Sequence, residues 1–263
     1  LLTAIDNFSV LQAFNLCTVL SAISCMAAGV RLVFLSSWRQ YRFFLGLLAS
    51  WVAFCVFTVA VPVSSKAYLR FYLIAAPLSW VFYIFVARDL YQKIFDQYKG
   101  ISFAGRACFN VASALLAVAV FANVWSSPVE SKAGSYFVVV TLIDRSLLFA
   151  LSFFLVLLVF VIARYPISIR RNLVVHTLVV SSILFFQSFC GLADLWSKYL
   201  YSAQWNTLAA ALDCIFLGAW ALLINSAGET ISVRIRQLEP QAALHLLNQL
   251  QSLNGVLLRA ARK

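Results

Sequence analysis

Six polar side chains able to hold a ligand, an ion or a proton stand within or beside long apolar runs: Asp144, Arg145, His176, Gln187, Asp194 and Asp213. An ionisable group in hydrocarbon costs roughly 2.5–3.5 kcal/mol on insertion scales, so a partner, water or a function must hold it there. Depth sorts them. At a rise of 1.5 Å per helical residue, Asp213 lies about 16 Å from Ile224 and about 9 Å from Thr207, inside the hydrocarbon from either end. It shares a helical face with Asn206, Ala210, Leu217 and Trp220. Gln187 reaches a similar depth in the preceding run, on one face with His176 and Asp194, since spacings of 11 and 7 residues return nearly the same helical angle. A polar layer of Asp213, Gln187 and Arg145, with Asp144 beside it and open to the outside, is the ligand-binding arrangement these positions support. Structural pairing of Asp213 is the alternative.

The remaining ionisable residues read more plainly. Asp144 and Arg145 stand about 30 Å above Arg164, roughly one hydrocarbon thickness, which puts them at the outer boundary as anchors or as the lining of an outer pocket. Being neighbours, they point about 100° apart on a helix and need not pair with each other. His176, about 8 Å above Arg171, reads as an interfacial histidine with a polar neighbour. The six cysteines (Cys17, Cys25, Cys55, Cys108, Cys190 and Cys214) lie in apolar runs and form no Cys-x-x-Cys pair. They read as small core hydrophobes, the alternative being a Cys190–Cys214 disulfide. The His and Cys spacings support no metal site and no cofactor.

What positions these residues is a set of helices solvated by lipid. Hydrophobic residues make up 63% of the 263 and charged ones 11%, against about 45–50% and about 25% in soluble domains. Runs long enough to cross the hydrocarbon extend from Val10 to Leu35, Phe43 to Val63, Phe71 to Leu90, Ala107 to Trp125, Tyr136 to Ala163, Asn172 to Leu192 and Thr207 to Ile224. The expected fold is an all-α membrane bundle of about seven helices over residues 1–225, followed by a tail over 226–263. The first run lacks a basic n-region and a small-residue cleavage site, and reads as a true span rather than a leader.

The net charge of +11 arises from Lys and Arg lying between apolar runs rather than along a stripe, which excludes nucleic acid as the partner. It fixes orientation instead. With the N-terminus outside, the inner connections carry Arg31, Arg39, Arg42, Arg88, Lys93, Lys99, Arg106, Arg164, Arg170 and Arg171, and the tail adds Arg234, Arg236, Arg259, Arg262 and Lys263. The outer connections hold Lys66, Arg70, Lys132 and Lys198 alone. Positive charge concentrates on the cytoplasmic side, so the C-terminus is expected inside.

Two stripes concern association. Ala13, Cys17, Ser21, Cys25 and Gly29 place a small residue every fourth position in the first span, for close helix packing within the chain or along a homodimer seam. In the tail, Leu246, Leu250, Leu253 and Leu257 alternate four, three and four apart, a heptad-like seam for a second tail, a cytoplasmic protein or the inner ends of the spans. A helix from about Pro240 to Arg262 is expected, with the inner leaflet as a further possible surface for its wider apolar face.

Several seven-span functions are excluded by single residues. The last span lacks a lysine, and the position four after Asp213 is Leu217, so no retinal Schiff base forms. Arg88-Asp89-Leu90-Tyr91 is not the Asp-Arg-Tyr order of eukaryotic G-protein-coupled receptors, and no Asn-Pro-x-x-Tyr closes the last span. One His in the spans is too few for a membrane metallohydrolase, and no Ser and His share a depth for an intramembrane protease.

The inner segment from Asp89 through Lys99-Gly100, followed by Gly105-Arg106, resembles a segment in a group of uncharacterised bacterial seven-span proteins. Leu253-Asn254 and Leu257-Leu258-Arg259-Ala260-Ala261-Arg262-Lys263 are similar to their C-termini. The resemblance implies a multi-pass protein of the bacterial inner membrane and supplies no activity. From the residues alone, Tyr91 and Tyr98 read as interface anchors and Gly100 as a helix end.

Two functional classes fit these features. One is a receptor-like sensor or signalling scaffold whose tail docks a partner, favoured by short connections and the tail seam. The other is a small transporter or channel component with Asp213 on its path, for which broken spans and several midplane polar residues are expected.

Overall fold

The computed structural model describes residues 2–62, 65–125, 133–165, 167–197, 201–230, 232–233 and 240–261. Among them the chain forms eight α-helices: α1 (Leu2–Phe34), α2 (Arg42–Ala60), α3 (Lys66–Ile94), α4 (Lys99–Trp125), α5 (Ala133–Arg164), α6 (Arg171–Trp196), α7 (Ser202–Leu223) and α8 (Pro240–Ala261). Every predicted run lies in a helix apart from one residue at the ends of the first and last and the three residues after Ala60 in the second, of which Val63 lies outside the described residues. A two-residue antiparallel pair, β1 (Ile169–Arg170) with β2 (Ser232–Val233), ties the chain after α7 to the start of α6.

Six of these helices are long and apolar enough to cross a bilayer: Gln12–Phe34, Arg42–Ala60, Lys66–Ile94, Ile143–Arg164, Arg171–Asp194 and Ser202–Leu223. Their outward faces carry large apolar side chains, among them Phe34, Ile74, Phe160, Phe185 and Leu222, that water would penalise and lipid accepts. The chain is a multi-pass α-helical membrane protein. The fourth expected span lies in α4, and part of it, together with Cys108, is outside the residues whose side chains are described.

Sequential neighbours pack into a ring: α1 on α2, α2 on α3, α3 on α5, α5 on α6, α6 on α7, and α7 back on α1. The α4 helix stands outside it, against α3 and α8. The small-residue stripe of α1 serves this closure. Ser21 and Cys25 are buried, and a Cβ on Gly29 would meet Leu45 of α2 at 3.5 Å. The ladder packs within the chain at those three positions.

The described parts of the first two connections are hydrogen-bonded. At the end of α1, Ser36 takes a left-handed φ of 53°, Ser36 N–H donates to Val33 O and Ser37 N–H to Leu32 O, which satisfies two terminal carbonyls. Ser65 starts α3 by accepting from Tyr68 N–H at 3.0 Å. Pro77 lies inside α3 without ending it, as neighbouring helices permit in a membrane.

The tail helix folds back on the bundle. Leu246 and Leu250 are 9% and 5% exposed, Leu257 packs on the core, and Leu253 is 51% exposed. Leu246, Leu250 and Leu257 thus face the bundle, and Leu253 faces outward. The inward stripe follows Leu246, Leu250, Asn254 and Leu257 along one face of the helix.

Candidate functional site

The Asp213–Gln187 contact is where depth in two separate spans brought two polar groups to one level. Gln187 Nε2 donates to Asp213 Oδ2 at 3.0 Å, joining α6 to α7. The bond extends into a chain, because Gln187 Oε1 accepts from the Tyr83 hydroxyl at 3.4 Å, which in turn accepts from Trp51 Nε1 at 2.9 Å. Four helices, α2, α3, α6 and α7, meet through these side chains. Around them stand thiols: Cys25 and Cys55 lie within electrostatic reach of Asp213, and Cys214 is 3.2 Å from the Ser24 hydroxyl. Such an arrangement holds a carboxylate in hydrocarbon, and it offers a ligand or ion donors and acceptors whose geometry is already set.

Arg145 does not join this layer. Its guanidinium pairs with Asp194 at 2.7 Å, and the other Asp194 oxygen accepts from the Ser202 hydroxyl at 2.5 Å. The pair joins α5, α6 and the start of α7 near the α6–α7 connection, about two helical turns from Gln187. Asp144 turns to α3 instead, accepting from Trp80 Nε1 at 2.5 Å. The 100° between neighbours sends the two residues to different partners.

His176, expected to have a polar neighbour, finds one in Trp220. The histidine is 1% exposed, with its Nδ1 accepting from Trp220 Nε1 at 3.1 Å and with the rings of Tyr41 and Phe44 against it at 4.8 and 4.5 Å. The α6 face that carries His176, Gln187 and Asp194 thus makes a side-chain bond at three depths. Cys190 and Cys214 are free thiols, which removes the disulfide alternative.

At the opposite end of α6, a second polar cluster centres on Glu229, a residue the sequence did not single out. Its Oε1 accepts from Tyr41 Oη at 3.1 Å and Asn172 Nδ2 at 2.9 Å, its Oε2 accepts from Gln40 Nε2 at 3.1 Å, and Arg170 lies 3.8 Å away. Asn172 also donates to Asn225 O at 2.7 Å, and Asn225 Oδ1 accepts from Gly228 N–H at 2.7 Å. A side chain at Gly228 would overlap Asn172, so glycine is what lets this turn (Ala227–Glu229) approach α6. Burial first, and then the Glu229 carboxylate, pushes the Tyr41 hydroxyl above the ordinary phenol range. Lys93 caps the cluster, donating to Gln40 O and Asp89 and lying 4.7 Å over the Tyr41 ring. The signal available beforehand was weak: Asn172 and Glu229 flank spans, where polar residues are ordinary.

The Asp89–Gly100 segment and the tail helix meet in space. Asn254 Oδ1 accepts from Gly100 N–H at 2.6 Å and Ile101 N–H at 3.4 Å, at the start of α4. Gly100 is therefore near a helix beginning, and a Cβ there would overlap the Asn254 carbonyl. Tyr91 donates to Ile101 O at 2.8 Å, with its ring where a Gly105 side chain would stand.

No known family model matches the chain, and neither a curated protein nor a solved structure shows detectable similarity to it.

Proposed function

We propose that this chain is a receptor-like sensor or signalling scaffold of the bacterial inner membrane, with seven spans, an outer N-terminus and a cytoplasmic tail through which it acts. In this reading α4, 27 residues or about 40 Å long, is the seventh span. The charge distribution supports the orientation, and the resemblance of the Asp89–Gly100 and tail segments to bacterial seven-span proteins supports the location. The membrane domain covers 1–225 and the signalling tail 226–263.

One observation carries the proposal. The α7 helix holds Asp213 at mid-span, and the residues that follow it, Asn225 and Glu229, bond to α6 and to the α1–α2 connection. The two points are about 18 Å apart along α7. A ligand or ion that alters the Asp213–Gln187 bond shifts α7, and the Glu229 cluster feels that shift. Leu250 and Leu257 of α8 pack on the same continuous core as Leu217 and Trp220 of α7. The exposed Leu244, Leu253 and Val256 face the partner, a cytoplasmic protein or a second tail.

The convergence of Asp213, Gln187, Tyr83, Cys25 and Cys55 at mid-span favours a second reading, a small transporter or channel component with Asp213 on its path. Proteoliposomes separate the two. Ion or proton flux that Asp213→Asn abolishes supports the transporter. Absence of flux, with a response in α8 to the same substitution, supports the sensor.

A further inference from the structure

A cavity of about 490 Å³ opens at the arginine-rich end of the bundle, between the ends of α3 and α6 and the α1–α2 connection. Its floor is apolar, formed by the buried Ile94, Ile169 and Leu173. Its walls divide into polar groups already engaged and polar groups still unengaged. Lys93 is saturated by Asp89, Gln40 O and the Tyr41 ring, and Gln40 is held by Glu229. By contrast, Asp96, Gln92, Gln97 and Ser168 have no side-chain partner among the described residues. The Arg170 side chain is 57% exposed, and Glu229 at 3.8 Å orients its guanidinium without filling the donor fork.

The unengaged groups comprise one cation, one anion and neutral donors and acceptors. Asp96 with the side-chain carbonyls of Gln92 and Gln97 accepts hydrogen bonds and suits an ammonium. Arg170 with the Ser168 hydroxyl donates, and the guanidinium fork matches phosphate oxygens bidentately. The volume lies within the range of small-ligand sites, and the ends of α3 and α6 stand where hydrocarbon gives way to headgroups.

We propose that this cavity binds a phosphoethanolamine-type zwitterion, its primary ammonium at Asp96 and its phosphate at Arg170. The same chemistry comes from a phosphatidylethanolamine headgroup of the adjoining leaflet or from free phosphoethanolamine. The site is separate from Asp213 and does not depend on the sensor reading.

The test uses the full chain in nanodiscs. In one arm, protein in pure phosphatidylcholine discs is titrated with phosphoethanolamine and, in parallel, with phosphocholine and glycerol 3-phosphate. In the other, native mass spectrometry reads which lipid stays bound from discs of equal phosphatidylethanolamine and phosphatidylcholine. The expected result is selective binding of the ethanolamine form in at least one arm: saturation in the first marks a soluble ligand, retention in the second a lipid. Asp96→Asn and Arg170→Gln should each weaken binding about tenfold or more, the scale of one charge-assisted hydrogen bond. Arg170→Lys, which keeps the charge and loses the fork, should fall between; it replaces Arg170→Gln if that variant fails to fold. No ethanolamine binding in either arm, equal binding of the choline and ethanolamine forms, or indifference to the Asp96 and Arg170 substitutions would overturn the proposal.

Discussion

Asn254, in the third turn from the end of the tail helix, caps the start of α4: its side-chain oxygen accepts from the Gly100 and Ile101 amides at 2.6 and 3.4 Å. The cap comes from a segment more than 150 residues distant, and does what a local Ser or Asp usually does for a helix start. Gly100 makes it possible, because any side chain there would strike the Asn254 carbonyl.

Gly100→Ala should therefore release α8 from α4. Limited proteolysis of the purified protein is expected to cut between residues 240 and 261 faster in the variant, with the spans intact. Asn254→Ala should give a milder effect, a loss of about 1 kcal/mol, the usual value of such a cap. Equal protection of α8 in wild type and both variants would show that the cap does not hold the tail.

The Asp213–Gln187 bond predicts an asymmetry between substitutions. Asp213→Asn keeps a side-chain oxygen to accept from Gln187, whereas Asp213→Leu leaves a polar amide without its partner, at roughly 1–3 kcal/mol. Gln187→Leu together with Asp213→Leu should recover part of that loss, with a coupling near 0.6 kcal/mol, the average for hydrogen bonds between membrane helices. Thermal melts in one detergent of wild type, Asp213→Asn, Asp213→Leu, Gln187→Leu and the double variant measure this; a coupling of zero would mean the two side chains do not interact.

Tyr41 gives a pH dependence. An unfolded tyrosine loses its proton near pH 10, while burial and Glu229 hold the folded Tyr41 proton to higher pH. Its contribution to stability is therefore complete below about pH 10 and is lost as pH rises from there through the folded value. Tyr41→Phe should flatten the fall in melting temperature above about pH 10, and should cost roughly 1–3 kcal/mol near neutrality by removing a bond to a carboxylate. An unchanged alkaline slope would count against the coupling to Glu229.

The crossing of α4 is read by reporter fusions. Fusions near Lys99 and near Trp125 should report opposite sides of the membrane, the first cytoplasmic. The same side for both would leave six spans and turn the outer and inner assignments of one half around.

The spans and the tail helix were legible because they are long and their patterns are local: apolar runs, flanking charges, and Pro240 opening a helix. The Gln187–Asp213 contact was legible for a related reason, since matched depth in adjacent spans leaves two polar groups few other partners. What was not legible needed rotation about the helix axis and knowledge of the neighbouring helix. Arg145 has one depth whichever way it points, and only the ring order directs it to Asp194. The distance of His176 from Arg171 gave its level, but not that Tyr41, Phe44 and Trp220 close over it. Glu229 and Asn172 lay in unremarked flanks, and their meeting depends on the turn at Gly228. Which tail leucines face the bundle depended on where α4 lies: Leu246 and Leu250 turn inward and Leu253 outward.

The central claim is that α7 transmits the state of the Asp213 layer to the tail. Amide hydrogen exchange of α8, measured in nanodiscs on wild type, Asp213→Asn and Asp213→Leu, tests it most directly, with Leu250→Asp as the reference for a detached tail. The account predicts that the Asp213 substitutions raise exchange across residues 244–258 toward the Leu250→Asp level, while α2 amides stay protected. Exchange in α8 identical to wild type in both Asp213 variants, alongside a clear increase in Leu250→Asp, would contradict it.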